Sequence, residues 1–190
     1  MSLHNLKGNW KGGWALDLHT IHSTQNEDGS FENERTRLGE SLYVLKYKND
    51  YTKIDELAKE AAVFIQNLMV KPYLSVILPT PPSKTRQIQP VIEMAKKISE
   101  IIKIPIDLDY IHKVKNTEQL KGIQDLVQRE KIMEGAFSVS DQRYANKKVL
   151  IFDDLFRSGT TLKEITRVLY EVGKVQNVYV VTLTKTRVNR

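Results

Sequence analysis

The sequence predicts an α/β fold, a mostly parallel sheet flanked by helices, on three observations. In the second half of the chain, short apolar runs suited to buried strands alternate with stretches whose apolar residues recur every three or four positions. The strand-like run from 148 to 153 is continuously apolar between its charged ends, as in a sheet covered on both faces. It ends on two adjacent acids, Asp153 and Asp154, and passes within a few residues into "SGTT" and a helical pattern. Ligands of such sheets sit beyond the carboxyl ends of the strands, and the acids fall at one of those ends.

The chain has 190 residues, the size of one domain. The expected division is a hood or hairpin over about residues 1–50 and an α/β core over 51–190. There is no cysteine, which excludes disulfides, thiolate metal sites and a cysteine nucleophile. The start lacks a signal-length apolar run, and "VYVVTL" at 178–183 is too short to cross a bilayer. A soluble, cytoplasmic protein is therefore expected, with no membrane partner. The formal charge of +6 suits nucleic acid, an anionic small molecule or merely a mildly basic surface. The basic residues are scattered, so charge alone does not choose.

The elements follow in order. Residues 14–21 alternate loosely, and "QNEDGSFENER" is a polar turn centred on Asp28-Gly29, which together read as a hairpin with a long loop. "ESLYVLKYKND" carries strand-forming residues before a polar break. Ile54, Leu57, Ala58, Ala61, Ile65 and Leu68 have helical spacing. "LSVILP" at 74–79 reads as a buried strand, and "PTPPSKTR" as irregular. Ile88, Val91, Ile92, Ala95, Ile98 and Ile102 make a second helix face, with Pro90 near its start. "IPIDLDYI" at 104–111 reads as a strand. Residues 117–134 are polar, with Leu120, Ile123 and Leu126 as weak helical anchors. After the 148–153 strand, Leu162, Ile165, Leu169 and Val172 form a helix face with Gly173 as its C-cap. "NVYVVTLTK" is the last strand.

The chemistry gathers at "DDLFRSGTT". A helix start presents unpaired backbone N–H groups and a partial positive charge. Gly159 lets the backbone approach an anion, Ser158, Thr160 and Thr161 add hydroxyls, and Arg157 adds a cation. Asp153 and Asp154 can accept hydrogen bonds from sugar hydroxyls or hold Mg²⁺ through water. A ribose 5-phosphate moiety fits both halves. The plain alternative is a capped surface turn followed by an ordinary N-cap. A Walker loop and a GxGxxG turn are both absent. A receiver-type acid pair would come earlier in the chain.

This string resembles the phosphoribosyl-pyrophosphate (PRPP) signature of type I phosphoribosyltransferases, in which two acids contact the ribose and the next loop binds the 5-phosphate. The likeness extends to the ComF family. "SLYVLKYKND" is similar to its leucine-lysine-aromatic segment, and "VILPTPPSKTR" to its proline-containing strand end. Thr117, Gln119, Arg129, Gly135, Ala136 and Phe137 match a further segment. The resemblance implies a pyrophosphate region at Thr80, Lys84 and Arg86, a Mg²⁺ cofactor, and a mobile loop carrying Lys121 and Arg129. A solvated helix face is the plain reading of those last two. The resemblance spans about residues 40–187 and is strongest at 149–162.

There are departures. The family's N-terminal four-cysteine zinc element has no counterpart here. After the proline loop only Arg86 of the usual pattern remains, and Ile132 replaces an asparagine. Arg157 stands where purine-salvage enzymes carry an acid; it cannot act as a base, which argues against 6-oxopurine salvage.

The implied function is transfer of phosphoribosyl from PRPP to an unidentified acceptor, with release of pyrophosphate and no side-chain nucleophile. The expected partner is PRPP or another ribose 5-phosphate ligand; nucleic acid and a homodimer stay open. Two rivals are a non-catalytic PRPP- or nucleotide-binding regulator and a competence or DNA-handling accessory protein. His19 and His22 are poorly placed to share a metal. Trp10 and Trp14 suit one helix face or the hairpin edge, in a packing or lid role.

Overall fold

The computed structural model of the chain describes residues 2–82, 87–115 and 126–187. The main sheet has five strands: β1 (His4–Asn5), β2 (Gly12–Leu18), β5 (Leu74–Pro79), β8 (Lys148–Phe156) and β9 (Asn177–Lys185). Their spatial order is β1-β2-β9-β8-β5. All neighbours are parallel except β1 on β2. Helices α1 (Arg37–Tyr47), α2 (Lys53–Gln66) and α3 (Pro90–Ile102) cover one face, where Leu38, Leu42, Leu45, Ile65 and Ile98 pack on Leu150 and Phe152. On the other face, α5 (Thr160–Glu171) packs Ile165, Val168 and Leu169 against Val149, Ile151 and Val180. The fold is thus α/β, with a mostly parallel sheet between two helical layers.

The crossovers decide where a ligand can sit. From β5 the chain runs outward through α3 to Ile106, which bridges Ile77 in parallel on the far side of β5. From β8 it runs the opposite way through α5 to β9. The connections diverge between β5 and β8, and ligands of such sheets bind in the crevice that this divergence creates beyond the carboxyl ends of the strands. The acid pair lies there.

Several sequence expectations need correction. Residues 40–50, read as strand-forming, lie largely in α1. Thr36 caps it, its hydroxyl oxygen accepting from the Gly39 N–H at 3.0 Å. Leu38, Leu42 and Leu45 then fall on one buried stripe, and this spacing overrides the strand preference of Tyr43 and Val44. Residues 14–18 are not an arm of the hairpin; they lie in β2, beside β9 in the main sheet. The hairpin consists of β3 (Thr20–Gln25) and β4 (Phe31–Arg35), with Gly29 at φ +80° in its turn.

The strand expected at 104–111 reduces to one bridge, and β6 (Ile111–Lys113) pairs with β7 (Phe137–Val139) apart from the main sheet. Asp107 breaks the run by accepting the Asp109 N–H and the Tyr144 hydroxyl. Gly173 does not supply a left-handed cap, since Lys174 takes the positive φ. Glycine is needed at 173 because a Cβ would lie 2.7 Å from the Tyr110 hydroxyl. Strand β8 runs past the acids to Phe156. A fourth helix, α4 (Leu126–Met133), fills the end of the polar excursion. No helix among the described residues is long and apolar enough to cross a membrane.

Helix α1 is fixed on the end of β2. The Thr36 hydroxyl donates to the Leu18 carbonyl at 2.5 Å. A Cβ on Gly39 would lie 2.0 Å from the His19 carbonyl oxygen. Gly39→Ala is therefore expected to push α1 off the sheet and to cost roughly 1–3 kcal/mol of stability. Urea denaturation of the two proteins checks this, and equal midpoints would refute the close-contact account.

Candidate functional site

The crevice is built from the ends of β5 and β8. Thr80, just beyond β5, donates its N–H to the Phe152 carbonyl at 3.0 Å, and its hydroxyl hydrogen-bonds the Asp153 carboxyl. Asp153 also accepts the Asp154 N–H at 2.8 Å. Burial pushes the Asp153 carboxyl up to about 7, and the neighbouring Asp154 charge adds to the rise. The Lys46 charge, the Asp154 amide and the Thr80 hydroxyl pull it back only in part.

Asp154 points to the other helical layer. Its Oδ2 lies 2.5 Å from Nζ of Lys46, which reaches down from the last turn of α1. The Asp154 side chain is 7% exposed and that of Lys46 22%, so the ion pair is largely shielded from solvent. His19 completes this side. Its Nδ1 lies 3.2 Å from the Thr184 hydroxyl, which in turn donates to the Asp154 carbonyl at 3.4 Å. Burial holds His19 below its ordinary value, helped by Arg35 and Lys46 and opposed by Asp154 and Glu40.

Side-chain facing inverts just beyond the acids. Leu150 and Phe152 pack on the α1–α3 side, while Val149 and Ile151 pack on the α5 side. Strict alternation would send Leu155 to the α5 side and Phe156 to the other, yet each does the opposite. Phe156 thereby meets Trp10 edge to face, with ring centroids 6.2 Å apart. The Trp10 Nε1–H donates to the Leu6 carbonyl at 2.9 Å, which locks the indole.

The turn sits on that pair. Gly159 has φ +78°, and a Cβ there would lie 2.7 Å from the Phe156 ring and 3.7 Å from Trp10. Glycine is thus required by its dihedral and by the packing beneath the turn, whereas the sequence reading had placed the crowding on the ligand side. Ser158 and Thr160 share a hydroxyl–hydroxyl hydrogen bond of 2.8 Å, and Arg157 is exposed. The first amides of α5, at Thr160, Thr161 and Leu162, have no acceptor within the helix. Carboxylates, hydroxyls and helix amides thus converge on one sheet end.

Of the predicted site residues, the structure brings together Thr80, Asp153, Asp154 and the turn from Arg157 to Thr161. Arg129 lies on α4. Lys84, Arg86 and Lys121, with Thr117 and Gln119, lie outside the described residues. His22 is exposed on β3, away from His19's contacts. Among the described residues no three His, Cys, Asp or Glu side chains gather as a metal site. Trp14 stacks on Tyr179 on the face opposite Trp10, so the two tryptophans share neither a helix face nor the hairpin edge. Sequence reasoning missed Lys46, His19 and Trp10 as neighbours of the site. For Lys46 a signal existed: it lies four residues after Leu42 and eight after Leu38, beside the leucine stripe.

No family model and no curated protein sequence matches the chain. Solved structures do. Glutamine PRPP amidotransferase from B. subtilis, complexed with ADP and GMP, superposes with a TM-score of 0.52 at 19% identity over 84% of this chain. The allosteric regulatory enzyme of purine biosynthesis gives 0.51, also at 19% identity over 84%. This chain spans 35% and 34% of those two proteins. A hypoxanthine phosphoribosyltransferase from Staphylococcus aureus gives 0.45 at 21% identity, over 72% of this chain and 65% of that one. The likeness to the first two structures is one of α/β fold.

The Asp153 environment sets a pH dependence. With its carboxyl raised from 3.8 to about 7, the folded protein favours the neutral form. The contribution to stability is full below pH 4 and is lost as pH rises through 7. Asparagine at 153 cannot ionise and keeps an oxygen for the Asp154 amide. Asp153→Asn is expected to match the wild type near pH 4 and to exceed it above pH 7, on the order of 1–4 kcal/mol. Thermal unfolding at pH 4 and pH 8 measures the difference; a variant less stable at pH 8 would contradict it.

Proposed function

We propose that the chain binds PRPP and transfers its phosphoribosyl group to an acceptor, releasing pyrophosphate. One observation carries this reading: a carboxyl pair and a left-handed glycine turn at a helix start meet at the point where the sheet's connections diverge. The 5-phosphate lies on the turn at residues 158–161, held by backbone amides and hydroxyls. The ribose hydroxyls lie on Asp153 and Asp154. The acceptor attacks C1 as the bond to pyrophosphate breaks, through an oxocarbenium-like transition state. The protein contributes positioning and charge stabilisation, so no side-chain nucleophile is needed. Thr80 supports the pyrophosphate side, and Lys84 and Arg86 belong to the same proposal. The β3–β4 hairpin, held where Arg187 donates to the Ile21 carbonyl, serves as the hood beside the acceptor.

Phosphoribosyltransferases generally take PRPP with Mg²⁺. The acid pair of this chain is poorly suited to hold that ion. One carboxylate is engaged by Lys46, and burial drives the other toward its neutral form. The pair fits a sugar diol instead, and no step above is routed through a metal.

Two details favour a ComF-type protein within the superfamily. Gly135 turns at φ +65° and donates its N–H to Glu164 on α5, and Ala136 and Phe137 are buried behind it. The reading implies a cytoplasmic protein. A second reading, PRPP binding without transfer, is favoured by Arg157, which offers a cation where a proton acceptor would stand.

Calorimetry with PRPP tests binding, and pyrophosphate release in an acceptor screen separates transfer from binding alone. Asp153→Asn combined with Asp154→Asn is expected to abolish PRPP binding in a folded protein; unchanged affinity would sink the site. Gly159→Val is expected to lower affinity far more than Arg157→Ala. The valine disfavours positive φ and strikes Phe156, whereas an exposed arginine contributes on the order of 1 kcal/mol or less. Normal binding by Gly159→Val with loss in Arg157→Ala would show that the arginine, not the backbone, grips the phosphate.

A further inference from the structure

Lys46 touches the acid pair, and the reaction proposed above gives it no part. Its ammonium lies 2.5 Å from Asp154 Oδ2, where a cation bound to the carboxyl pair would have to approach. It is not a loose surface lysine. Thr36 ties α1 to Leu18, Gly39 seats it on the His19 carbonyl, and Leu38, Leu42 and Leu45 bury its inner face. Withdrawing the ammonium would leave a buried carboxylate unpaired, which is strongly unfavourable. Placing a divalent cation beside it would set two cations a few ångströms apart in a poorly solvated crevice, opposed by Coulomb's law.

An ammonium has three donors, and Asp154 occupies one of them. No other hydrogen-bonded partner of Nζ is present among the described residues. The Lys46 side chain is partly exposed, and its remaining donors are free to serve a sugar hydroxyl or a phosphate oxygen. The arrangement supplies, in covalently attached form, the positive charge that a metal would bring to the sugar end of such a ligand.

We infer that Lys46 is the resident counter-ion of the sugar subsite, and that this chain binds PRPP there without a divalent cation. The inference rests on the PRPP reading. It is specific to this chain's own α1, because a lysine one position to either side would face away from Asp154.

The test is calorimetric titration of PRPP, and separately of ribose 5-phosphate, into wild type, Lys46→Arg and Lys46→Met, each in EDTA and in Mg²⁺. For wild type and Lys46→Arg, PRPP affinity is expected to change less than about threefold between the two buffers. For Lys46→Met, binding in EDTA is expected to weaken by about tenfold or more and to recover in Mg²⁺, the ion entering the place the ammonium leaves. Thermal melts establish that the variants are folded; should Lys46→Met not fold, the wild-type comparison alone decides. Wild type that binds ribose 5-phosphate but takes PRPP only with Mg²⁺ would overturn the inference and leave the PRPP reading standing. Wild type that binds neither ligand in either buffer would overturn both.

Discussion

The site depends on one constraint, the burial of charge at the end of an enclosed strand. β8 has a neighbour on each side and a helical layer on each face, so its residues from Val149 through Phe152 are apolar and inaccessible. Two carboxyls directly after that stretch are costly unless each finds partners. The partners come from opposite directions. Thr80 reaches Asp153 from the end of β5, and Lys46 reaches Asp154 from α1. The position of α1 is therefore as much a property of the acid pair as of the hydrophobic core. Thr36 and Gly39, which fix α1 on the end of β2, act on the site without touching it.

The turn after β8 obeys a second constraint, imposed from beneath. Phe156 can support Gly159 only because facing inverts beyond the acids, and it is braced by Trp10 from the start of the chain. Asn9 adds a hydrogen bond to the Lys163 carbonyl in the first turn of α5. A segment that precedes the sheet's second strand thus supports a loop some 150 positions later. Such support keeps the helix amides in one place before any ligand arrives, which lowers the ordering cost of binding.

Legibility in the sequence follows the range of the interaction responsible. β5, β8, β9, α2 and α3 were readable because their periodicities are local and their burial is symmetric or cleanly one-sided. The acid pair and the "SGTT" turn were readable because adjacent residues act together. The 104–111 segment was misread because its strand pattern is broken by Asp107, whose partners Arg143 and Tyr144 lie more than thirty residues away. α1 was misread because Tyr43 and Val44 favour strands locally, while the cap at Thr36 and the leucine stripe require the whole helix to be considered. Trp14 was assigned to the hairpin because nothing near it reveals a parallel pairing with residue 181 of β9. His19 stayed invisible as a site residue for the same reason, and Lys46 could be found only through its spacing from Leu42: their contacts with Thr184 and Asp154 exist only once β2 and α1 have docked.

The same docking divides the labour of two identical side chains. Asp153, partly buried beside a like charge, is driven toward the neutral form, in which a carboxyl can donate a hydrogen bond as well as accept one. Asp154 is held on the Lys46 ammonium. A pair of acids with unlike surroundings can address a sugar diol from both sides, one hydroxyl as acceptor and the next as donor. An acid pair with equal surroundings would present two like charges, for which a divalent cation is the natural partner. What separates the two cases in this chain is a single lysine from a helix that the sequence presents as a strand. On the proposed function, recognition of the sugar end therefore turns on how α1 docks, a tertiary event, while the phosphate end of the proposal rests on five consecutive residues.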